Sequence, residues 1–488
     1  MLKRFLAIFF ALVMIAALVG CGTQKRVPIE LTLSTEDAEA ILKAAGIALP
    51  EAEEVAAAGS TITWFAWFDN FHNYSEGEVV NTGYFTFREK YNCNVEWYEC
   101  TWEERFSKLA TLMLGGDAPD FFNGETENFP YYALHGTFQP FNPYIDFDDP
   151  LWKDVKDYMM KYFSLGDDIY ILSTDLYFGN VLAYNRRTID EWGFDDPAEL
   201  FYNNEWDWDA FYSMCVDFSD PDDNRYALDG WFYSRALQRS CGVSIISYDV
   251  ETKKFVSNMD DPRLERAGNL LYDLNKNECI FPWYKNGYKT RNAGNSAAAD
   301  FGDGLKEGDL LFSCGSGPYF FTGPVDEISA EYADVVENEL MFVPMPIDPM
   351  GDGTQLVESR PSGYCLVVGA RNPEGVALLA CCDRFKAIDP TVMSIDRYQK
   401  VNTYLWTEEM LDMYDLCVEL ANSSDNVVLA YDENALGSAL GQTQQDIERN
   451  GMQASATTWA QIKETYSDRI TYYLEEFNAE VEDFINGK

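Results

Sequence analysis

Thr61-Ile-Thr-Trp-Phe-Ala-Trp67 is a run of β-branched and aromatic residues that reads as a strand, the first in a series of alternating elements. Val80, Tyr84, Phe87 and Tyr91 recur at helical spacing until Asn92 breaks the pattern. A short strand is predicted around Val95 and Trp97. Thr101 then opens a helix with Glu104 three residues on, the spacing of a capping box; Phe106, Leu109, Ala110 and Met113 form its apolar face until Gly115-Gly116 ends it. Beyond Pro119-Asp120 comes a third strand, Phe121-Phe122. Strand, helix, strand, helix, strand within about 60 residues implies right-handed crossovers and a largely parallel sheet. Ligands of such sheets bind beyond the carboxyl ends of the strands, here the loops at Asp69 and at Asn123 to Glu125.

Towards the N-terminus, Lys3 and Arg4 precede an apolar run from Phe5 to Val19 that stops at Gly20-Cys21-Gly22. A positive start, an apolar run shorter than the roughly 20 residues of a spanning helix, and small residues at its end describe a cleaved signal peptide. The order Leu18-Val19-Gly20-Cys21 resembles the lipobox of bacterial lipoproteins. That resemblance implies a signal peptide over residues 1–20, an acylated Cys21 as the new N-terminus, and a tether to the outer face of a membrane. The plainer alternative is a signal peptide or membrane anchor with a chance cysteine. Residues 22 to 59 are rich in Ala and Glu; Ser34 with Glu36 and Asp37 could start one short helix ending near Gly46, and the segment reads as a flexible tether. From Thr61 the chain is strongly aromatic for more than 400 residues, a length that favours two lobes over one core.

The net charge of −45, from 81 acidic and 36 basic residues without a basic cluster, excludes nucleic acid as a partner and reads as solubility of an extracellular surface. Besides Cys21 there are ten cysteines and no CxxC pair, so metal-site spacing is absent. Cys365, Cys381 and Cys382 sit in apolar runs, where a free thiol behaves as a small hydrophobe, and mostly reduced, buried thiols are expected. Asp220-Pro-Asp-Asp-Asn224 starts like a calcium loop, but Arg225 replaces the glycine of the turn and Trp231 stands where a bidentate glutamate belongs. With His72 and His135 the only histidines and no GxSxG or HExxH motif, no catalytic residue, metal or cofactor is expected. Elsewhere, Asp207 and Asn372 read as helix N-caps, the latter followed by Pro373. Trp459, Ile462, Tyr466, Ile470, Tyr473, Phe477, Val481 and Phe484 make one long amphipathic helix stopped at Gly487.

A family resemblance emerges from the order of the motifs. The opening strand is followed by Thr101-Trp-Glu-Glu through Gly116-Asp-Ala-Pro-Asp120, Gly136-Thr-Phe-Gln-Pro140, Tyr144-Ile145-Asp146 and Tyr184-Asn185. Then come Asp196-Pro-Ala-Glu-Leu200 leading to Trp206-Asp-Trp-Asp209, Arg225-Tyr-Ala-Leu-Asp-Gly-Trp231, Val343-Pro-Met-Pro346 and Ala370-Arg-Asn-Pro-Glu374. Along nearly the whole mature chain this resembles the extracellular solute-binding proteins of bacterial ABC importers, the sugar-binding family 1, with the lipobox where a Gram-positive member carries it. The resemblance implies an α/β, two-lobe periplasmic-binding-protein-like (type II) fold with a hinge and an interlobe cleft. Lobe 1 would be residues 60–173 plus 343–395, and lobe 2 residues 179–340 plus 396–488, with crossings near Leu172 to Val181, at Phe342-Val343-Pro344 and after Ala387.

It also implies site residues. Twelve Trp, 30 Tyr and 32 Phe suit a sugar, which presents C–H patches to flat rings and hydroxyls to carboxylates and amides. Carried over by position, the ligand-binding candidates are Trp67, Asp69, Asn123, Glu125 and Asp175 in lobe 1 and the crossover, and Trp231, Tyr233 and Tyr319 in lobe 2, with Trp231 and Asp69 foremost and Trp283 a looser candidate. Gly317-Pro318-Tyr319 departs from the family's Gly-Pro-Trp, which implies a smaller subsite. The implied function is a monomeric, lipid-anchored receptor that closes on a carbohydrate, an oligosaccharide in particular, and delivers it to ABC permease subunits. Peptide or polyamine ligands, an exported carbohydrate-active enzyme and a surface adhesin are the alternatives.

Overall fold

In the computed structural model, the strand read at Thr61 spans Thr61–Ala66 (β1). The described residues are 35–69, 71–72, 82–230, 233–249, 251–282, 302–315, 339–394, 397, 406–423, 427–428, 431, 433–448 and 457–487. β1 pairs in parallel with Asn94–Glu99 (β2) on one side and Phe121–Asn123 (β3) on the other. Helices Thr82–Glu89 (α1) and Arg105–Gly115 (α2) are the crossovers. Ile62, Trp64 and Ala66 face one core with Tyr84 and Phe87 of α1, while Phe65 faces another with Leu109 of α2. A strand covered on both faces explains why its sequence is nearly continuous in apolar residues.

Two details depart from the sequence reading. The capping box forms, with Thr101 N–H donating to Glu104 Oε1 at 3.2 Å and Glu104 N–H to Thr101 Oγ1 at 3.3 Å, but residues 102–104 make a turn and the regular helix begins only at Arg105. Gly116 closes it in the left-handed conformation at φ 78°. The sheet is also only partly parallel. Its spine is Val357–Val367, which runs antiparallel to β3, to Phe138–Gln139 and to Ile171–Phe178 and parallel to Val427–Val428. No local pattern announces a strand that enters from more than 200 residues downstream.

A second sheet has the order Leu340–Val343, Val181–Asn185, Leu310–Gly315, Tyr226–Asp229. The chain leaves the first sheet after Phe178, enters the second at Val181, and returns between Val343 and Val357. Helix Pro373–Ile388 (α3) packs against α1; Glu408–Asn422 (α4) lies on strands of both sheets. Asp207 and Asn372 cap their helices, accepting from Ala210 N–H at 2.9 Å and Gly375 N–H at 3.0 Å. The last helix runs Trp459–Gly487, and Leu474 joins its buried stripe. Among the described residues no helix is long and apolar enough to cross a membrane.

The tether read over residues 22–59 ends earlier than expected. A helix spans Thr35–Ala44, but Leu49 and Ala57 are buried in the first core. Tyr91 Oη donates to Pro50 O at 2.8 Å and Gly59 N–H to Tyr91 O at 2.8 Å, so residues 49–59 belong to the folded unit. Burying two apolar side chains there outweighs the freedom of a linker. The ten cysteines besides Cys21 are all unpaired and nine are buried, and burial pushes Cys100 and Cys279 up to about 11, which keeps them as inert thiols.

Candidate ligand-binding site

The carboxyl ends of β1 and β3 meet the strand pair Ile171–Phe178 and Val357–Val367 around a cavity of about 300 Å³. Trp64, Phe68 and Phe71 form its aromatic side. Trp64 meets Phe71 edge-on at 4.7 Å and Phe68 at 5.6 Å between ring centroids. Its indole Nε1–H donates to Asn123 Oδ1 at 2.9 Å, and the Asn123 amide points its NH2 at Glu125 Oε1, 3.5 Å away. The facing wall carries Thr174, Tyr177, Tyr364, Asp383 and Lys386. Tyr364 Oη donates to Asp383 Oδ2, and Lys386 Nζ stands 3.2 Å from Asp383 Oδ1. Gly124 permits this closeness: a Cβ there would come within 2.6 Å of Tyr364 N, where Gly124 N–H donates to Gly363 O at 2.8 Å.

Of the residues expected at the site, Asn123 and Glu125 line the cavity. Trp67 points to the other face of its strand, against Phe68, Trp102 and Phe122. Asp69 is occupied by its own turn: its side chain is 5% exposed and accepts from Phe71 N–H at 2.9 Å and His72 N–H at 3.1 Å, with His72 Nδ1 also 3.1 Å away. Replacing it would disturb the loop before any ligand contact, so it is a poor probe of binding. Asp175 is exposed and accepts from Leu176 N–H at 2.8 Å, while its neighbours Thr174 and Tyr177 line the cavity instead. Tyr233 is fully buried at the start of helix Tyr233–Arg239. Trp231, Tyr319, Trp283 and Cys21 lie outside the described residues. Sequence reasoning missed Trp64, Tyr177, Tyr364, Asp383 and Lys386. Trp64 reads as core in any strand pattern, and nothing local places the middle of α3 beside the end of β1.

Burial pushes the Glu125 carboxyl up to about 8, with the like charge of Glu127 adding to the effect. Burial likewise raises Asp383, against the opposing pull of Lys386. The folded protein holds the Glu125 proton more tightly than the unfolded chain, whose value is 4.5. The unfolded state therefore binds fewer protons in between, and stability falls as pH rises from 4.5 to about 8. The slope is at most ~1.4 kcal/mol per pH unit. Glu125→Gln is expected to flatten it; urea unfolding at the two ends of that window measures this, and an unchanged slope would assign the effect elsewhere.

The calcium-like loop is closed from within, since Arg225 pairs with Asp220 at 3.2 Å and Asp223 at 3.0 Å. No cluster of His, Cys, Asp and Glu that could hold a metal ion occurs among the described residues.

The family model of the bacterial extracellular solute-binding proteins matches residues 76–304. No curated protein sequence resembles the chain closely enough to count as a relative. Among solved structures, the chain is similar to an ABC substrate-binding protein of Listeria monocytogenes in complex with cycloalternan, at 14% identity and a TM-score of 0.55 over 87% of this chain and 99% of that one. It is similar to a solute-binding protein of Thermotoga lettingae bound with α-D-tagatose, at 15% identity and a TM-score of 0.56 over 86% and 100%. A third is the galacto-N-biose/lacto-N-biose I-binding protein of Bifidobacterium longum, at 12% identity and a TM-score of 0.56 over 86% and 97%. These likenesses establish the type II fold. The sequence match assigns residues 76–304 to the bacterial extracellular solute-binding proteins, family 1.

Proposed function

We propose that this receptor captures a carbohydrate, an oligosaccharide by preference, by closing two lobes over it and passing it to the permease subunits of an ABC importer. It would work as a monomer held at the outer face of a bacterial membrane, that of a Gram-positive cell, by acylated Cys21. The observation that carries the reading is the cavity's make-up: the aromatic surfaces of Trp64, Phe68 and Tyr177 beside the amide of Asn123 and the carboxyl of Glu125. Flat rings take the C–H face of a pyranose, while the amide and carboxyl take its hydroxyls. A Glu125 that keeps its proton can donate as well as accept. The neighbours' ligands, cycloalternan, tagatose and lacto-N-biose among them, lend the same support.

We assign residues 60–178 and 343–395 to lobe 1, extended by 49–59 and by strand Val427–Val428 of the first sheet, and 179–340 and the rest of 396–488 to lobe 2, with helix Glu408–Asn422 bridging them. The passage between the sheets at Phe178 to Val181 and at Val343 to Val357 supports a hinge there. A polyamine is less well served: it wants free carboxylates, whereas Asp383 is paired with Lys386 and Glu125 holds its proton. Nothing in this cycle requires bond chemistry, and an enzyme would reveal itself by turnover.

The test is a thermal-shift screen of residues 22–488 against mono- and oligosaccharides, peptides and polyamines. A ligand at 100 times its Kd stabilises the fold by about 2.7 kcal/mol. A shift with a glycan, without hydrolysis, is expected. Silence from every glycan with a shift from a peptide or polyamine overturns the carbohydrate assignment. Asn123→Ala should weaken the glycan at least roughly tenfold, about 1.4 kcal/mol, because it removes a ligand contact and unpins Trp64.

A further inference from the structure

Trp102 stands in the turn between β2 and α2. Because β2 runs parallel to β1, with Ala66 opposite Glu99, this turn leaves the sheet at the same end as Trp67 and the Asn123 to Glu125 loop. Trp102 is 44% exposed, an unusual position for an indole that nothing in the core requires. It is nevertheless held firmly. The Arg105 guanidinium lies 3.6 Å from its ring centroid, Arg105 Nη1–H donates to Trp102 O, and Trp67 meets the ring edge-on at 4.6 Å. Arg105 is itself buried, paired through Nη2 with Glu127 at 2.7 Å, and its Nε finds no partner among the described groups. A buried cation with an unsatisfied donor is costly. Here its effect is to hold, by a guanidinium over its ring, an indole that remains 44% exposed.

The ring lies with Trp67 on the other face of the sheet from Trp64 and is linked to the cavity around the end of β1 through Phe68. Trp67, which it touches, meets Phe68 of the cavity wall at 5.2 Å, and Glu127, which anchors Arg105, raises the pKa of Glu125 on the cavity floor. We infer that Trp102 is a stacking platform for a sugar unit that extends out of the cavity, so that the Trp102–Arg105 pair sets the receptor's preference for glycan length. This rests on the carbohydrate reading above. A ring immobilised in advance loses little entropy when a ligand stacks on it, so it contributes affinity only to glycans long enough to reach it.

The experiment measures affinities by calorimetry for linear gluco-, galacto-, manno- and xylo-oligosaccharides of one to six units. The proteins are residues 22–488 of the wild type, Trp102→Ala and Trp102→Phe, with the melting temperature of each unliganded protein as the control for folding. Stacking on an aromatic ring accounts for roughly tenfold in affinity. Trp102→Ala is expected to lose about that factor for the longer members of the bound series and nothing for its shortest bound member, with Trp102→Phe in between. Equal losses at every length, no loss at any length, or a wild type that takes only monosaccharides overturns the platform while leaving the carbohydrate reading intact. A wild type that binds none of these glycans overturns both.

Discussion

Asp120→Ala is expected to lower the unfolding free energy by roughly 4 kcal/mol, because one buried carboxylate would leave four donors unanswered. Asp120 is 3% exposed. Its Oδ2 accepts from Thr63 N–H at 2.7 Å and Thr63 Oγ1–H at 2.9 Å; its Oδ1 accepts from Arg371 N–H at 2.7 Å and Asn372 N–H at 2.8 Å. The side chain thus ties β1 to the entry of α3 across 251 residues of chain. Asp120→Asn keeps one acceptor oxygen but turns an NH2 toward two N–H groups, so the order of stability should be Asp, then Asn, then Ala. Urea midpoints establish the order, and an alanine variant within about 1 kcal/mol of wild type would refute the account of a staple. The consequence for ligand binding is indirect: the same contacts hold the start of β3, whose other end carries Asn123 to the cavity.

Glu358→Ala should cost a comparable amount, about 3–5 kcal/mol, through a buried ion pair left half complete at the crossing between the sheets. Glu358 pairs with Arg239 of the second sheet's helix Tyr233–Arg239 at 2.6 Å and with Arg360 on its own strand at 2.8 Å, and accepts from Asn180 Nδ2–H at 2.8 Å. Gly179 N–H donates to its backbone carbonyl at 2.7 Å, so both the strand and the connecting turn are bound to one residue. Removing the carboxylate leaves Arg239, 2% exposed, as a charge in a dry place. A double-mutant cycle of Glu358→Gln and Arg239→Gln should return a coupling above about 1 kcal/mol; values near zero would mean that Arg360 and Asn180 already satisfy the carboxylate.

These two residues mark the range of sequence reading. Asp120 stands in the Gly116-Asp-Ala-Pro-Asp120 motif and is legible as a landmark, but its partners at Arg371 and Asn372 are not, since no periodicity links positions that far apart. The same holds for the cavity. Asn123 and Glu125 are legible because a strand end in a parallel sheet is a known place for ligands. Asp383 and Lys386 are invisible because helix Pro373–Ile388 is apolar on nearly all sides and offers no polar face to single them out. Asp69 misleads for the opposite reason. Its loop is correctly placed, but a short acidic side chain two residues before a free N–H can serve its own turn as readily as a ligand, and only coordinates tell the two apart.

Short-range physics is enough to specify the first strand–helix–strand–helix–strand run, the capping at Asp207 and Asn372, and the long C-terminal helix, and all of these can be read from the chain alone. Each arises from spacing and hydrogen bonding within a few residues. The long-range part emerges only in three dimensions: the antiparallel spine at Val357–Val367, the docking of residues 49–59, the Glu358 knot, and which polar groups face the cavity. Those depend on burial of surfaces brought together from hundreds of residues apart. Such burial is set by the packing of the whole chain and leaves no signature in any one window of it.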